Sequence, residues 1–377
     1  MSKKIMNSKL YIAMLAVALP VVSQAGGVKY SDGDKYVKIG GRIQLQYKQV
    51  KPDAGASTDD LFFRRFRPFI EGSLHKNWKG KFQWDMGTAE GDNEIAIKDA
   101  YMQYKSESGI KVSVGNKMFP FSREQMTSSK KQQLIERTFV GDHNYGSPDR
   151  QTGLHLEKSG KTVSWAAALV EANIDPDNKK LDFDTAVNKN TDFNEGWMLG
   201  GRVEISLGKK AKFSQGDFKN DSKSSIGIGV FSWSNDDDNN TASGTRSPVD
   251  SVTGIEVSGA YRGNGVSVDA QYNTFDAETV DPGITNGIYK NGKTTLESMS
   301  VEGGYMVVPA EVELVFGYQT LDADNYAEAW NRASLGVNWF VHKHDIKVQL
   351  SYRMGENLDG VANNDADEIF LQTQYVF

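Results

Sequence analysis

Residues Ile346-Lys347-Val348-Gln349-Leu350-Ser351-Tyr352-Arg353 alternate without a break between an apolar and a polar side chain. A period of two is the spacing of a β-strand, with one face for an apolar medium and the other for water. The pattern recurs along the chain. Ile43, Leu45 and Tyr47 alternate with Arg42, Gln44, Gln46 and Lys48; Val203, Ile205 and Leu207 with Arg202, Glu204 and Ser206; Val266, Val268 and Ala270 with Ser267, Asp269 and Gln271. Roughly sixteen such segments of about ten residues can be counted, the length and pattern of tilted strands that cross a membrane. Short turns and long polar loops then alternate between them. Turns fall near Lys76-Asn77, Gly263-Asn264-Gly265, Val308-Pro309 and His342–His344, and long loops near 117–151, 172–195, 234–251 and 276–295. A soluble sandwich has no reason for that alternation, whereas a transmembrane barrel has short inner turns and longer outer loops. Residues 208–224 stand where a turn is due and are too long for one, so they are either an extension on the inner side or a miscount of strands.

The predicted fold class is therefore all-β: a transmembrane antiparallel barrel of about sixteen strands. Composition agrees. The 377 residues hold 37 Gly, 18 Phe, 15 Tyr and 7 Trp, with 38% apolar residues. No stretch of 18 consecutive apolar residues occurs, which excludes a helical transport bundle. There is no Cys, which excludes a disulfide framework and a thiol nucleophile. Lys3, Lys4 and Lys9 precede the apolar run Leu10–Val22 and the small-residue site Ser23-Gln24-Ala25, the layout of a cleaved secretory signal peptide over residues 1–25. The exported part, residues 26–377, is acidic overall, against binding nucleic acid. Its charge is uneven: residues 26–158 carry 22 Lys and Arg against 17 Asp and Glu, and residues 159–377 carry 18 against 32. The chain ends on the alternating strand Ile369–Phe377, and a terminal aromatic of this kind resembles the signal read by the barrel-assembly machinery. The predicted location is the bacterial outer membrane, in contact with bilayer and lipopolysaccharide.

Two segments go beyond architecture. In Phe62-Phe63-Arg64-Arg65-Phe66-Arg67-Pro68-Phe69-Ile70-Glu71-Gly72, strand parity puts Arg65, Arg67 and Glu71 on one face. Gly115-Asn116-Lys117-Met118-Phe119-Pro120-Phe121-Ser122-Arg123 continues through Ser128-Ser129-Lys130-Lys131 to Glu136-Arg137. Together they resemble the phosphate-selective porin O/P family, with its arginine pair leading to a Gly on strand two and its Gly-x-x-x-Pro-Phe-Ser…Ser-Ser…Glu-Arg stretch. The resemblance is dense over residues 36–158. It implies a homotrimeric channel whose third external loop, here 115–151, folds inward as a constriction. It also implies passive diffusion of small anionic solutes, phosphate or polyphosphate first among them. A general or dicarboxylate-preferring porin is the alternative, and a barrel enzyme or adhesin stands further off.

The expected anion pathway is Arg42, Arg64, Arg65, Arg67, Lys117, Arg123, Lys130, Lys131 and Arg137, since fixed guanidinium forks match oxyanion geometry. Parity sets Glu256, Asp269, Glu302 and Glu313 on an opposing acidic wall, and walls of unlike sign would lay a transverse field across the lumen. No cofactor or metal is called for: His342-x-His344 lacks a third ligand nearby, and Asp236–Asn240 reads as a solvated loop tip. No Gly-x-Ser-x-Gly elbow or Ser–His pairing supports hydrolysis.

Overall fold

The computed structural model describes residues 27–87, 95–175, 177–183, 194–238 and 247–377. The expected signal peptide and the Asn239-Asn240 end of the acidic loop tip lie outside them. Strands β1 (Val28–Asp32), β2 (Lys35–Gly40), β3 (Arg42–Pro52), β4 (Thr58–Phe66), β5 (Phe69–Ser73), β6 (Trp78–Asp85), β7 (Ala96–Lys105), β8 (Lys111–Met118) and β9 (Arg150–Lys158) come first. They are followed by β10 (Val163–Asn173), β11 (Glu195–Ser206), β12 (Lys223–Asn235), β13 (Val249–Gly263), β14 (Val266–Thr279) and β15 (Lys293–Val308). The last four are β16 (Val312–Ala323), β17 (Trp330–His342), β18 (Ile346–Glu356) and β19 (Ala366–Val376).

From β5 onward each strand pairs antiparallel with the next, and β19 closes the ring on β3. Two staves of the wall are each interrupted once. Pro68, with no N–H to donate, separates β4 from β5, and Gly41 separates β2 from β3 opposite it. Arg42 and Arg67 still exchange backbone hydrogen bonds across the gap (3.2 and 2.9 Å). With β2–β3 and β4–β5 each read as one stave, and β1 as a ribbon on the outer edge of β2, the wall has the sixteen staves that the alternation predicts. Phe377 completes the closure: its backbone donates to Gly41 O (3.0 Å) and accepts from Gly41 N (2.8 Å).

The outward face carries the apolar set. Leu61, Phe63, Trp197, Leu199, Ile228, Leu335 and Leu350 are all exposed, which in a barrel of this shape is the lipid band.

The inside departs from expectation. A wholly polar, watery lumen would follow from simple alternation. Instead, the inner faces of β10–β17 hold Val170, Met198, Phe231, Trp233, Val252, Phe275, Leu296, Leu321 and Trp330 in a dry cluster. Three outer loops fold in to cover it, contributing Phe119, Phe121, Phe139 and Tyr145 from one, Leu181 and Phe183 from the next, and Ile288 and Tyr289 from a third. Long loops can be held inside a wide barrel only if they bury apolar area there, at about 1.5–3 kcal/mol per large side chain.

The doubtful segment is resolved as well. Residues 207–222 join β11 to β12 at the same end as the short turns and turn up into the barrel. Gln215 N donates to Lys131 O (3.0 Å), Gln215 Oε1 accepts from Gln133 N (2.6 Å), and His344 Nε2 bonds Gln215 O (2.8 Å). The sixteen staves stand, and this extension is a plug.

Candidate functional site

The third outer loop, residues 119–149, is positioned from its first residues. Gly115 takes φ 121°, and a Cβ there would lie 2.3 Å from Ala100 O, so only glycine fits where β8 presses on β7. Phe119 and Phe121 then enter the dry cluster edge-on to Phe231 (6.0 and 4.9 Å between centroids). Ser122 caps the one-turn helix α1 (Arg123–Met126), accepting from Gln125 N at 3.1 Å. Its hydroxyl also donates to Val140 O (2.6 Å) and accepts from Gln271 Nε2 (2.8 Å). A short 3₁₀ turn at Ser129–Lys131 crosses to the other wall. There Gln374 Nε2 donates to Lys130 O (3.0 Å) and Lys347 Nζ to Gln132 O (2.8 Å). Gly146, at φ 91°, lies so close to Phe275 that a Cβ would come within 2.6 Å of its ring.

The loop divides the sequence-predicted residues into two groups. Arg42 is buried on the inner face of β3, and its Nη1 donates to Ser128 Oγ (3.1 Å). Arg65 is buried next to it and donates to Gln44 Oε1 (3.1 Å). The Nε atoms of both are buried with no partner among the described residues. Arg64 comes inward too, against strand parity, because the β3–β4 register skips a residue between the Gln44↔Arg65 and Leu45↔Phe63 pairs. Such a bulge re-aims one side chain, here to form a two-pronged pair with Glu136 (2.8 and 3.0 Å). Burial pushes the Glu136 carboxyl up, but Arg64 and Arg65 outweigh it and hold it well below the usual carboxylate range. Arg67 pairs with Asp85, and Lys117 with Glu157 at 2.8 Å. Arg137 gives one donor from each Nη to backbone, to Glu124 O and to Thr127 O (3.0 Å), and makes no ion pair among the described residues. Lys130 and Lys131 carry no ion pair among the described residues; burial first, then Arg42 and Lys131, lower the Lys130 pKa to about 8.

Arg123 does not join this group. It is 2% exposed and turned to the far wall, donating to Asp269 (2.9 Å), Glu204 (3.0 Å) and the carbonyls of Ala211 (3.0 Å) and Lys212 (3.1 Å). The four acids of that wall do share an inner face, but the loop and the plug cover them instead of open water. Glu256 accepts from Arg202 (3.1 Å) and Arg123 N (3.0 Å), and Asp269 from Arg123 and Arg262. Glu302 accepts from Gln215 (3.1 Å), and Glu313 from Gln133 (2.7 Å) and Asn338 (3.0 Å). Arginines meet the charge of Glu256 and Asp269 at close range, and neutral amides hold Glu302 and Glu313; with all four covered, the transverse field expected across a lumen has no open gap to act over.

Two chambers lie along the basic wall, either side of Arg137. The inner chamber, about 210 Å³, is lined by Arg42, Arg67, Lys81, Lys117, Arg137 and Arg150 with Asp99 as the one acid, beside the hydroxyls of Ser128 and Ser129. The outer chamber, about 330 Å³, includes Arg64, Arg137, Arg332 and Arg353. Arg150 and Arg332 escaped the sequence reading. Arg332 was legible, since it shares the parity of Ser334 and Asn338 on β17; Arg150, at the return from the loop, had no such cue.

A closed antiparallel barrel of sixteen staves, with a lipid-facing apolar band and a loop narrowing a polar passage, defines an outer-membrane porin. Residues 37–377 match the family described as phosphate-selective porin O and P, and the chain belongs to that family of outer-membrane channels. Porin O of Pseudomonas aeruginosa is 24% identical over 95% of this chain and 92% of its own length. Among solved structures, the anion-selective porin from Comamonas acidovorans superposes with a TM-score of 0.63 at 12% identity, covering 91% of this chain and 100% of that one. The outer-membrane channel DcaP of Acinetobacter baumannii gives 0.58 at 12% identity, covering 93% and 100%. The trimer form of OmpT from Vibrio cholerae gives 0.57 at 14%, covering 90% and 99%.

Proposed function

We propose that the protein is a passive diffusion channel for small anions, phosphate the first candidate, with the inner chamber as its selecting site. The observation that carries this reading is the lining of that chamber, six cationic side chains with Asp99 as the one lining acid; Arg67, Lys81, Lys117 and Arg150 are ion-paired to Asp85, Asp99, Glu157 and Asp149. Arg42 and Arg137 in its lining have no carboxylate partner among the described residues. Guanidinium groups keep their charge at any physiological pH and present paired donors to an oxyanion. Ser128 and Ser129 add hydroxyls that can replace part of its water shell. Several weak sites in series let an ion enter and still leave. Arg65, Lys130 and Lys131 add charge from just behind the lining, whereas Arg123 and the four covered acids hold the loop in place. Residues 1–25 serve as a cleaved signal peptide. The described chain works as one unit with 115–151 as its constriction, assembles as a homotrimer, is recognised for assembly through Phe377 and meets lipopolysaccharide at its outer rim. The family's description as phosphate-selective and the Comamonas porin's as anion-selective support the assignment of charge sign.

The test is the reversal potential of purified protein in a planar bilayer under a KCl gradient, repeated with phosphate added. The expected result is anion preference with chloride current reduced by phosphate. Arg42→Glu should shift the potential toward cations, since a unit charge a few ångströms away contributes about 1–4 kcal/mol at effective dielectrics of 80 to 20. Lipid-facing Ile70→Ala should leave it unchanged. A cation-preferring wild type overturns the reading.

A further inference from the structure

The outer chamber is built differently from the inner one. It is larger, about 330 Å³ against 210 Å³, and a cavity of that size holds an organic molecule rather than a lone tetrahedral ion. Its lining includes two aromatic side chains, Phe62 and Tyr145. Tyr145 is fixed edge-on against Phe139 (5.1 Å) and Trp330 (5.8 Å), so its ring cannot swing away. The acids of the chamber are already engaged: Glu136 by Arg64, Glu368 by Arg353 and Lys48, and Asp142 by Asn144. Arg332 is not engaged. Its guanidinium carbon lies 4.2 Å from the Phe139 ring centre and 4.3 Å from that of Trp330, and among the described residues it has no ion-pair or hydrogen-bond partner. Stacking of this kind fixes the guanidinium plane while leaving its edge donors available.

We propose that the outer chamber is a binding site for aromatic oxyanions, such as a phosphate ester of an aromatic alcohol. The oxyanion group sits on Arg332 and Arg137, and the ring lies against Phe62 and Tyr145. The site stands in series with the inner chamber and captures ligand before the constriction. The proposal rests on the anion-channel reading for its route of entry, but its test measures binding directly.

Tryptophan fluorescence of the purified protein in detergent, with Trp330 beside the site as reporter, is titrated with phenyl phosphate and separately with inorganic phosphate. Phenyl phosphate should bind roughly tenfold tighter, the order expected from one ring packed against aromatic side chains. Phe62→Leu should remove most of that advantage and leave the inorganic phosphate affinity within twofold. Arg332→Gln should weaken phenyl phosphate while the heat-modifiable mobility of the folded barrel is retained. Equal affinities for the two ligands in the wild type overturn the proposal, as does an equal loss for both in Phe62→Leu. Anion preference in the KCl gradient together with equal affinities would discard this site and leave the channel reading standing.

Discussion

Replacing Arg123 by Met should loosen the channel without unfolding the barrel. The guanidinium makes four charge-assisted or carbonyl bonds of 2.9–3.1 Å to Asp269, Glu204, Ala211 and Lys212, and it joins the inward loop to the plug as well as to the wall. Removing one partner of a buried ion pair costs about 3–5 kcal/mol, because the other charge stays behind without compensation. Glu204 keeps Arg202 (2.8 Å) and Asp269 keeps Arg262, so the lower end of that range applies. At about 1.4 kcal/mol per decade, 3 kcal/mol raises the population of the undocked loop roughly hundredfold. Single-channel recording should show frequent excursions to a higher-conductance level that are rare in the wild type. Arg123→Lys, which keeps a charge but loses the fork, should fall between. Folded mobility on an unheated gel should not change, as no wall pairing involves Arg123. If Arg123→Met instead keeps quiet wild-type conductance while the reversal potential moves toward cations, Arg123 is a pathway charge and the tether argument is wrong.

Lys130, with its pKa lowered to about 8, is protonated at pH 7 and loses its charge as pH rises through that value, so anion current should fall between pH 7 and 9. Lys130→Arg, which cannot deprotonate in this range, should remove the step, and its persistence in that variant refutes the assignment. Deleting Phe377 takes away the backbone pair to Gly41 (2.8 and 3.0 Å) and the ring stacked on Tyr375; heat-modifiable folded protein should largely disappear, and a normal yield would contradict this. A thiol label at a Cys placed at Asp237 or Gly283 should react from outside intact cells, while one at Asn264, Lys343 or the exposed Lys219 should not; outside labelling of Lys219 would place the plug at the wrong mouth.

The wall was readable because its solvent contrast is written residue by residue: Ile346, Val348 and Leu350 against Lys347, Gln349 and Ser351 leave one consistent register. The interior was not readable from the same rule. On β12, Ile226, Ile228 and Val230 face lipid, but nearer the outer end Phe231 and Trp233 face inward and Ser232 and Ser234 outward, so the apolar residues change faces within one strand and alternation carries no constant sign. What makes that face dry is loop residues from distant parts of the chain, such as Phe121 and Phe183. The bulge at Arg64 likewise leaves no local trace, since a one-residue skip depends on the partner strand. Within the inward loop, parity has no meaning at all, and nothing nearby distinguishes Arg123, which clamps the loop, from Arg137, which faces the passage. The motif Pro120-Phe121-Ser122 was visible as a motif, but its work as anchor and cap appears only against Phe231, Val140 and Gln271.

The plug has a bearing on how the channel comes into being. Residues 119–149 leave the wall at one mouth and residues 207–222 at the other, yet they meet mid-lumen through Gln215, Lys131 and Gln133. During insertion these two segments begin on opposite sides of the bilayer. Only the closed ring offers them a shared compartment, so their encounter is a late step that follows wall closure. Maturation of the aperture is thereby separable in time from membrane insertion. A newly inserted barrel would first be a wide, unselective leak, and its narrowing would be a second event with kinetics of its own.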